Sequence, residues 1–468
     1  MKRLFFCLIV SSLALGCGSK KGTGFDGGID EDSGMDPCVD PLDPTCGTLD
    51  ETNGEGAPAC DNLECQIVNC GTTDGTTISG TVYDPGAQRG LYNVFVYVPN
   101  RPLDPIPTGP VCTACQAPAS GKPIASATAV TDAKGKFTIK NAPAGASIPL
   151  VMQLGKWRRR INIPMVNQCT ANNLTDKNLT RMPKKQTEGN TDSNIPQIAF
   201  ATGCDWAECF LERTVGIDPS EFGAAGSKAR VHVYKGNDDN QQFPFTPQSA
   251  YTFWNNLAQL KKYDILFNAC ECSPYDRQGA YGNMKTYLDT GGRMFGTHYH
   301  YNWFAPPTGP ADYQTQAPWG FGGGGTPYYI DDSFPRGKAF ADWAQNWMVS
   351  TTYGQLAVTD IRNDVAGLNG GMKGNGMYKN STQWIYATQN QTLYLSFNAP
   401  TAKLPKDQCG RAVFSDVHLS GSFGAGMFPN YCMSNGHDVD EQALEFLFFD
   451  LSSCVQDDKS MPIQPPPN

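Results

Sequence analysis

Seventeen cysteines in a chain of 468 residues constrain this sequence more than any other feature. Such usage is rare in a reducing cytosol and usual where disulfides persist. The chain is therefore expected to fold outside the cytoplasm, around covalent cross-links. Its N-terminus agrees. Lys2 and Arg3 precede an apolar run from Leu4 to Leu15, which ends at Gly16-Cys17. That run is too short to span a bilayer comfortably and reads as a secretory signal, residues 1–16. Cys7 leaves with it. No later segment is apolar enough to span a membrane.

Ala14-Leu15-Gly16-Cys17 resembles a bacterial lipobox, with Leu13 one place further back than usual. The resemblance implies that Cys17 is lipidated and becomes the new N-terminus, with the membrane as partner. Gly18 stands where an Asp would favour inner-membrane retention, which implies an outer-membrane lipoprotein on the periplasmic or surface face. Fifteen cysteines then remain, an odd number, so at least one thiol is free or pairs between molecules. Cys112-Thr113-Ala114-Cys115 is expected to close on itself as a local disulfide, because no second such pair accompanies it to make a zinc site.

Residues 17–74 form an acidic, cysteine-containing tether, too poor in apolar residues to offset ordering entropy. Its Asp-rich run over 26–43 lacks a full calcium-loop signature, so calcium is not expected there. Cys38, Cys46, Cys60, Cys65 and Cys70 are expected to staple the entry into the first domain. The formal net charge of −9 opposes a general nucleic-acid-binding role, which needs a basic surface.

Residues 75–165 alternate in short strands separated by turn residues, such as Asp132-Ala133-Lys134-Gly135 before Lys136-Phe137-Thr138-Ile139. This pattern predicts a small all-β sandwich. Ile78-Ser79-Gly80-Thr81-Val82-Tyr83-Asp84, Val94 to Val98, Thr131 to Phe137 and Asn141 to Gly145 together resemble the carboxypeptidase regulatory-like, or transthyretin-like, domain. That likeness implies a sandwich module and not peptidase activity, and no H-x-x-E motif occurs in the chain. Trp157-Arg158-Arg159-Arg160 is expected as a solvated strand end rather than an anion site. Residues 166–193 read as a polar linker.

From 194 to 455 strands alternate with helices, with an insertion over about 305–380. This alternation predicts a parallel sheet with helices on both faces. One helix is expected from Thr246-Pro247 through Leu260. Residues 456–468 read as a loose tail. The fold class is therefore multidomain: a β-sandwich plus an α/β parallel-sheet domain. Tyr263 to Phe267, the helix end Asp289-Thr290-Gly291-Gly292, Arg293 to His298 and Gly410 to His418 resemble the class I glutamine amidotransferase-like superfamily, nearest its trehalose-utilisation (ThuA-like) branch. The likeness implies a flavodoxin-like fold. His298 stands where amidotransferases carry their nucleophilic cysteine, which puts glutaminase chemistry in doubt.

Ligands of open parallel sheets sit beyond the carboxyl ends of the strands. Cys270-Glu271-Cys272, Thr297-His298-Tyr299-His300 and Asp416-Val417-His418 lie at three such ends. On extended chain His298 and His300 point the same way, as do Asp416 and His418. Two readings follow. In one, the domain is a lipid-anchored binding module for a polysaccharide or another envelope component, with Tyr299 and Trp303 in an aromatic neighbourhood that runs on through Tyr301, Phe304, Trp319, Phe321, Tyr328 and Tyr329. In the other, it is a metal-assisted hydrolase. His298, His300 and His418 would hold zinc or a similar divalent ion, and Glu271, His298, Asp416 and His418 would share acid–base work. The same residues also serve plain structure, as loop hydrogen bonds, core aromatics, and disulfides from Cys270 and Cys272 to Cys204, Cys209 or Cys432. The Gly-rich loop Gly320–Gly325 lacks the G-K-[ST] of a phosphate cradle.

Overall fold

The computed structural model describes residues 60–468 apart from 113–114, 116–118, 189–191, 237–240, 375–377, 420–424, 433–437 and 464–468. The expected signal, Cys17, most of the expected tether, and Cys38 and Cys46 lie outside the described residues. No described helix is long and apolar enough to cross a membrane.

The first part is β throughout. Its strands are β1 (Thr77–Thr81), β2 (Phe95–Pro99), β3 (Pro123–Val130), β4 (Lys136–Ile139), β5 (Gly145–Leu154), β6 (Trp157–Val166) and β7 (Ala171–Leu174). They form two sheets, β4-β1-β7 and the antiparallel β3-β2-β5-β6. The stretch 166–193 is not a mere linker. Its strand β7 pairs in parallel with β1, and Cys169 is bonded to Cys70.

The second part holds β8 (Ile198–Ala201), β9 (Phe222–Ala224), β10 (Val231–Lys235), β11 (Gln248–Ser249), β12 (Ile265–Asn268), β13 (Arg293–Thr297), β14 (Tyr328–Ile330), β15 (Gln355–Leu356), β16 (Ser381–Ala387), β17 (Gln391–Ala399) and β18 (Gly410–Ser415). All join one sheet in the order β11-β10-β8-β12-β13-β18-β17-β16-β14-β15, with β9 beside β10. From β11 to β18 neighbours run parallel; from β18 to β15 they run antiparallel. The insertion over 305–380 thus supplies β14 and β15, which extend the sheet.

The central strands are apolar on consecutive residues because both faces are covered. Ile198, Phe200, Ile265, Phe267 and Phe295 enter one core, and Ala199, Ala201, Leu266 and Met294 enter the other. The helix Val439–Ser452 closes the first face. Asp438 caps it through the Glu441 amide at 2.8 Å, and Leu444, Leu447, Phe448 and Leu451 are buried, as their spacing predicts. Phe448 meets Phe267 on one side and Trp157 of β6 on the other. The two β-rich parts therefore share a hydrophobic core. Residues 246–260 differ from expectation: Ala250–Trp254 and Leu257–Leu260 are separate short helices, broken where Asn256 caps the second through the Gln259 amide.

Six disulfides occur among the described residues: Cys60–Cys65, Cys70–Cys169, Cys112–Cys409, Cys115–Cys454, Cys204–Cys272 and Cys209–Cys432. This cross-linking marks an extracytoplasmic protein. The expected local bridge between Cys112 and Cys115 does not form. Each pairs with a distant partner instead, because their loop lies against the ends of β18 and of the last helix. The tail is likewise anchored: Asp458 is buried and bonded to Arg336 and Arg411.

Candidate metal centre at the strand ends

β8, β12, β13 and β18 are neighbours, so the residues that follow their carboxyl ends meet. Gly203 permits the closest approach, since a Cβ there would lie 2.0 Å from the Cys270 carbonyl oxygen. Just beyond β13 the chain does not stay extended. His298 adopts φ of 41° and opens the 3-10 turn His298–Trp303. A non-glycine residue in this region costs of order 1–3 kcal/mol and persists only where its surroundings demand it. The turn overturns the expectation that His298 and His300 point alike.

Cys270 Sγ lies 3.2 Å from His298 Nδ1, and the His298 and His418 rings are 4.9 Å apart between centroids. One donor atom from each of Cys270, His298 and His418 lies within 4.8 Å of the others. Asp205, buried in the loop after β8, organises this cluster. Its Oδ1 meets His418 Nδ1 at 3.0 Å, and its Oδ2 accepts from Thr297 Oγ1 at 2.5 Å and the Cys270 amide at 3.2 Å. Burial alone would raise the Asp205 pKa; His418 and the hydrogen-bond donors overcome it and hold it at about 2. With Nδ1 facing Asp205, His418 Nε2 is buried and has no hydrogen-bond partner among the described residues.

Cys270 is the free cysteine of the described residues and is buried. Burial, and next the charge of Asp205, push its thiol upward against the amides of Tyr299 and Cys272, which hydrogen-bond the sulfur. His298 is pushed down to about 3 by burial and by its neighbours His418 and Arg362, so it stays neutral. One carboxyl flanks it, with a second behind. Asp364 Oδ2 is 3.7 Å from His298 Nε2, and Asp416 Oδ2 accepts the Asp364 amide at 2.9 Å. Burial, then the proximity of Asp364, raises Asp416 well above the usual carboxylate range, and burial raises Asp364 as well. The pair is therefore placed to share a proton.

Of the residues expected at this site, His298 and His418 converge, and Asp416 is linked to them through Asp364. His300 does not join. Its Nε2 meets the Ala269 carbonyl at 2.7 Å, and its Nδ1 accepts from Trp303 Nε1 at 3.0 Å, so both ring nitrogens are used. Glu271 is fully buried in an ion pair with Arg277, whose guanidinium lies over Trp254 and Trp303. The aromatic neighbourhood is dispersed. Tyr299 stacks on His298, but Trp303 and Phe304 are core residues, and Tyr329 stacks on Tyr386 of β16. Asp205 and Cys270 were absent from the expected ligand and acid–base set. The rule that named the other strand ends also applies to Asp205, which follows β8 by four residues.

The buried His298 imidazole fixes a pH dependence. An unfolded histidine takes a proton below about pH 6.5, whereas His298 in the folded, metal-free protein does so only near 3. Between those values the unfolded chain holds more protons, so stability falls as pH drops. Urea melts of chelator-treated protein at pH 7 and 4.5 will show this loss, and His298→Gln will reduce it.

No protein-family model and no curated protein matches this chain. Among solved structures it is similar to a ThuA-like protein from Bacteroides uniformis, at 8% identity and a TM-score of 0.28, over 54% of this chain and 89% of that one. It is also similar to an exo-β-1,4-mannosidase from an Opitutaceae bacterium, at 8% identity and a TM-score of 0.24, over 56% of this chain and 37% of that one. Likenesses this weak carry no argument.

Proposed function

We propose that the chain is an extracytoplasmic hydrolase that uses a zinc-class ion held by Cys270, His298 and His418. One observation carries the reading: donors from three adjacent strand ends lie within 4.8 Å of one another, and the His418 ring keeps a buried Nε2 with no partner among the described residues. An unsatisfied buried ring nitrogen is costly, and a metal ion would satisfy it. The Asp205–His418 contact supports the reading further, since metal-bound imidazoles commonly give their other nitrogen to a carboxylate. Thiolate and imidazole donors suit zinc, and three protein ligands leave a position open.

When bound, such an ion supplies an acidified water as nucleophile. Asp364, beside His298 and backed by Asp416, is placed to take and return protons at the reacting centre. A thiol-nucleophile mechanism is disfavoured because Cys270 is 1% exposed. A ligand tolerates such burial, but a group that attacks the substrate has to be reached, and the same limit leaves Asp416, 0% exposed, to act only through Asp364.

The finer architecture belongs to the same proposal. Lipidation at Cys17 with outer-membrane placement is supported by the N-terminal sequence, and the transthyretin-like sandwich by the strand and turn motifs over 75–165. The flavodoxin-like reading is supported by the parallel order β10-β8-β12-β13-β18, which in chain order is 2-1-3-4-5. The test is hydrolysis of a panel of activated esters and glycosides by chelator-stripped protein, before and after zinc is returned. Turnover that needs zinc and is lost in Cys270→Ala is expected; turnover indifferent to zinc, or retained in that variant, contradicts the proposal.

A further inference from the structure

A cavity of about 330 Å³ lies between the outer face of β2, β3 and β5 and the first residues of β12 and β13. Ile265 and Arg293, which open those strands, line it. Cys270 follows Ile265 by five residues, so the cavity and the strand-end cluster are roughly 16 Å apart along the sheet. They are separate sites.

The cavity body is apolar, walled by Phe95, Val130, Leu154 and Ile265. Its volume lies within the range of small-molecule pockets. Two disulfides make its walls rigid: Cys115–Cys454 lines it, and Cys112–Cys409 ties the same loop to the start of β18. A pocket whose walls are covalently joined loses little freedom on binding.

Its charges do not balance. The Asp264 carboxylate is already satisfied by Lys156 Nζ at 2.6 Å and by the amides of Gly109 and Gln197 at 2.7 and 2.6 Å. Two guanidiniums remain. Arg158, expected at a solvated strand end, is buried, and it donates to the carbonyls of Asp192 and Asp104 at 3.1 and 2.9 Å. Arg293 donates to the carbonyls of Gly291, Cys409 and Ser453, and its Nε is buried without a partner among the described residues. Of the carboxylates nearest Arg158, Asp192 pairs with Arg160, and Asp104, which also lines the cavity, bonds Ser120, so the lining carries one positive charge in excess. Neither cavity arginine forms an ion pair among the described residues. Buried charges are normally paired.

We propose that this cavity binds a small amphipathic carboxylic acid, its carboxylate on Arg293 and Arg158 and its chain against Phe95, Val130 and Leu154. Guanidinium groups are suited to carboxylates, and the apolar walls favour an organic acid over inorganic phosphate. Calorimetric titration of the purified chain with decanoate, decanol and decylamine, each below its micelle or solubility limit, tests this. Saturable 1:1 binding of decanoate, at least tenfold tighter than the alcohol or the amine, is expected. Val130→Trp, which fills the cavity from its apolar wall, should abolish it. Arg158→Gln should weaken decanoate at least tenfold and leave decanol unchanged. No decanoate binding by the folded parent, equal binding of acid and alcohol, or full binding by Val130→Trp would each overturn the proposal. If Arg158→Gln does not fold, the acid–alcohol contrast on the parent chain decides. His418→Ala should bind decanoate normally, so failure at one site is distinguishable from failure at the other.

Discussion

Replacing Asp458 with alanine is expected to lower the unfolding free energy by about 3–5 kcal/mol, the typical result of removing one partner from a buried ion-pair network. Asp458 meets Arg336 Nη1 at 2.6 Å, is bonded to Arg411, and accepts from Ser396 Oγ at 2.9 Å. Asp450 bonds both arginines from the last helix. All four charged groups are largely buried, and Trp384 lies beneath the two guanidiniums. Burial alone would raise the Asp458 pKa; the charges of Arg411 and Arg336 overcome it and hold it at about 2. Alanine leaves two buried cations facing one carboxylate. Its stabilising effect is present above the unfolded pKa near 3.9 and is lost as pH falls through 2, so the parent and Asp458→Ala should converge in strong acid. Urea unfolding at pH 7 measures the difference. A change under 1 kcal/mol would show that residues 456–463 do not anchor the fold.

The second large effect concerns the strand-end cluster. His418→Ala is expected to remove high-affinity zinc binding, and Asp205→Ala to weaken it by about 10- to 100-fold, the usual cost of losing a partner behind a metal-bound histidine. The distinction is physical. His418 offers an Nε2 without a partner among the described residues, whereas Asp205 only orients the ring from its far side. Asp205→Ala also releases Thr297 Oγ1 and the Cys270 amide, so its melting temperature must be measured alongside. Equal zinc affinity in the parent, His418→Ala and Asp205→Ala would place any metal elsewhere.

The parallel strands were legible because burial on both faces leaves consecutive apolar residues, as in Ile265-Leu266-Phe267. The last helix was legible from its apolar spacing and its Asp438 cap. Disulfide partners were not, since pairing depends on which loops the fold apposes: Cys112 and Cys115 are close in sequence, yet each joins a residue about 300 or more positions away. The site was half legible. Strand-end logic reaches His298 and His418, but a left-handed turn at His298 separates it from His300, and no periodicity signals that turn. Cys270 reads from sequence as one more disulfide cysteine, and only the Cys204–Cys272 bond leaves it free to face the imidazoles. Arg158 misled for a related reason: its neighbours are charged, but the carbonyls of Asp104 and Asp192, from two separate segments, hold it in a buried position.

The most direct test of the metal centre is a cobalt titration of the purified, chelator-stripped protein, followed by its near-ultraviolet thiolate-to-cobalt charge-transfer band. One equivalent of cobalt is expected to produce the band, zinc to displace it, and Cys270→Ser to lack it while the six disulfides stay intact. A folded parent that binds no cobalt, or that binds it without a thiolate band, would contradict a centre built on Cys270, His298 and His418.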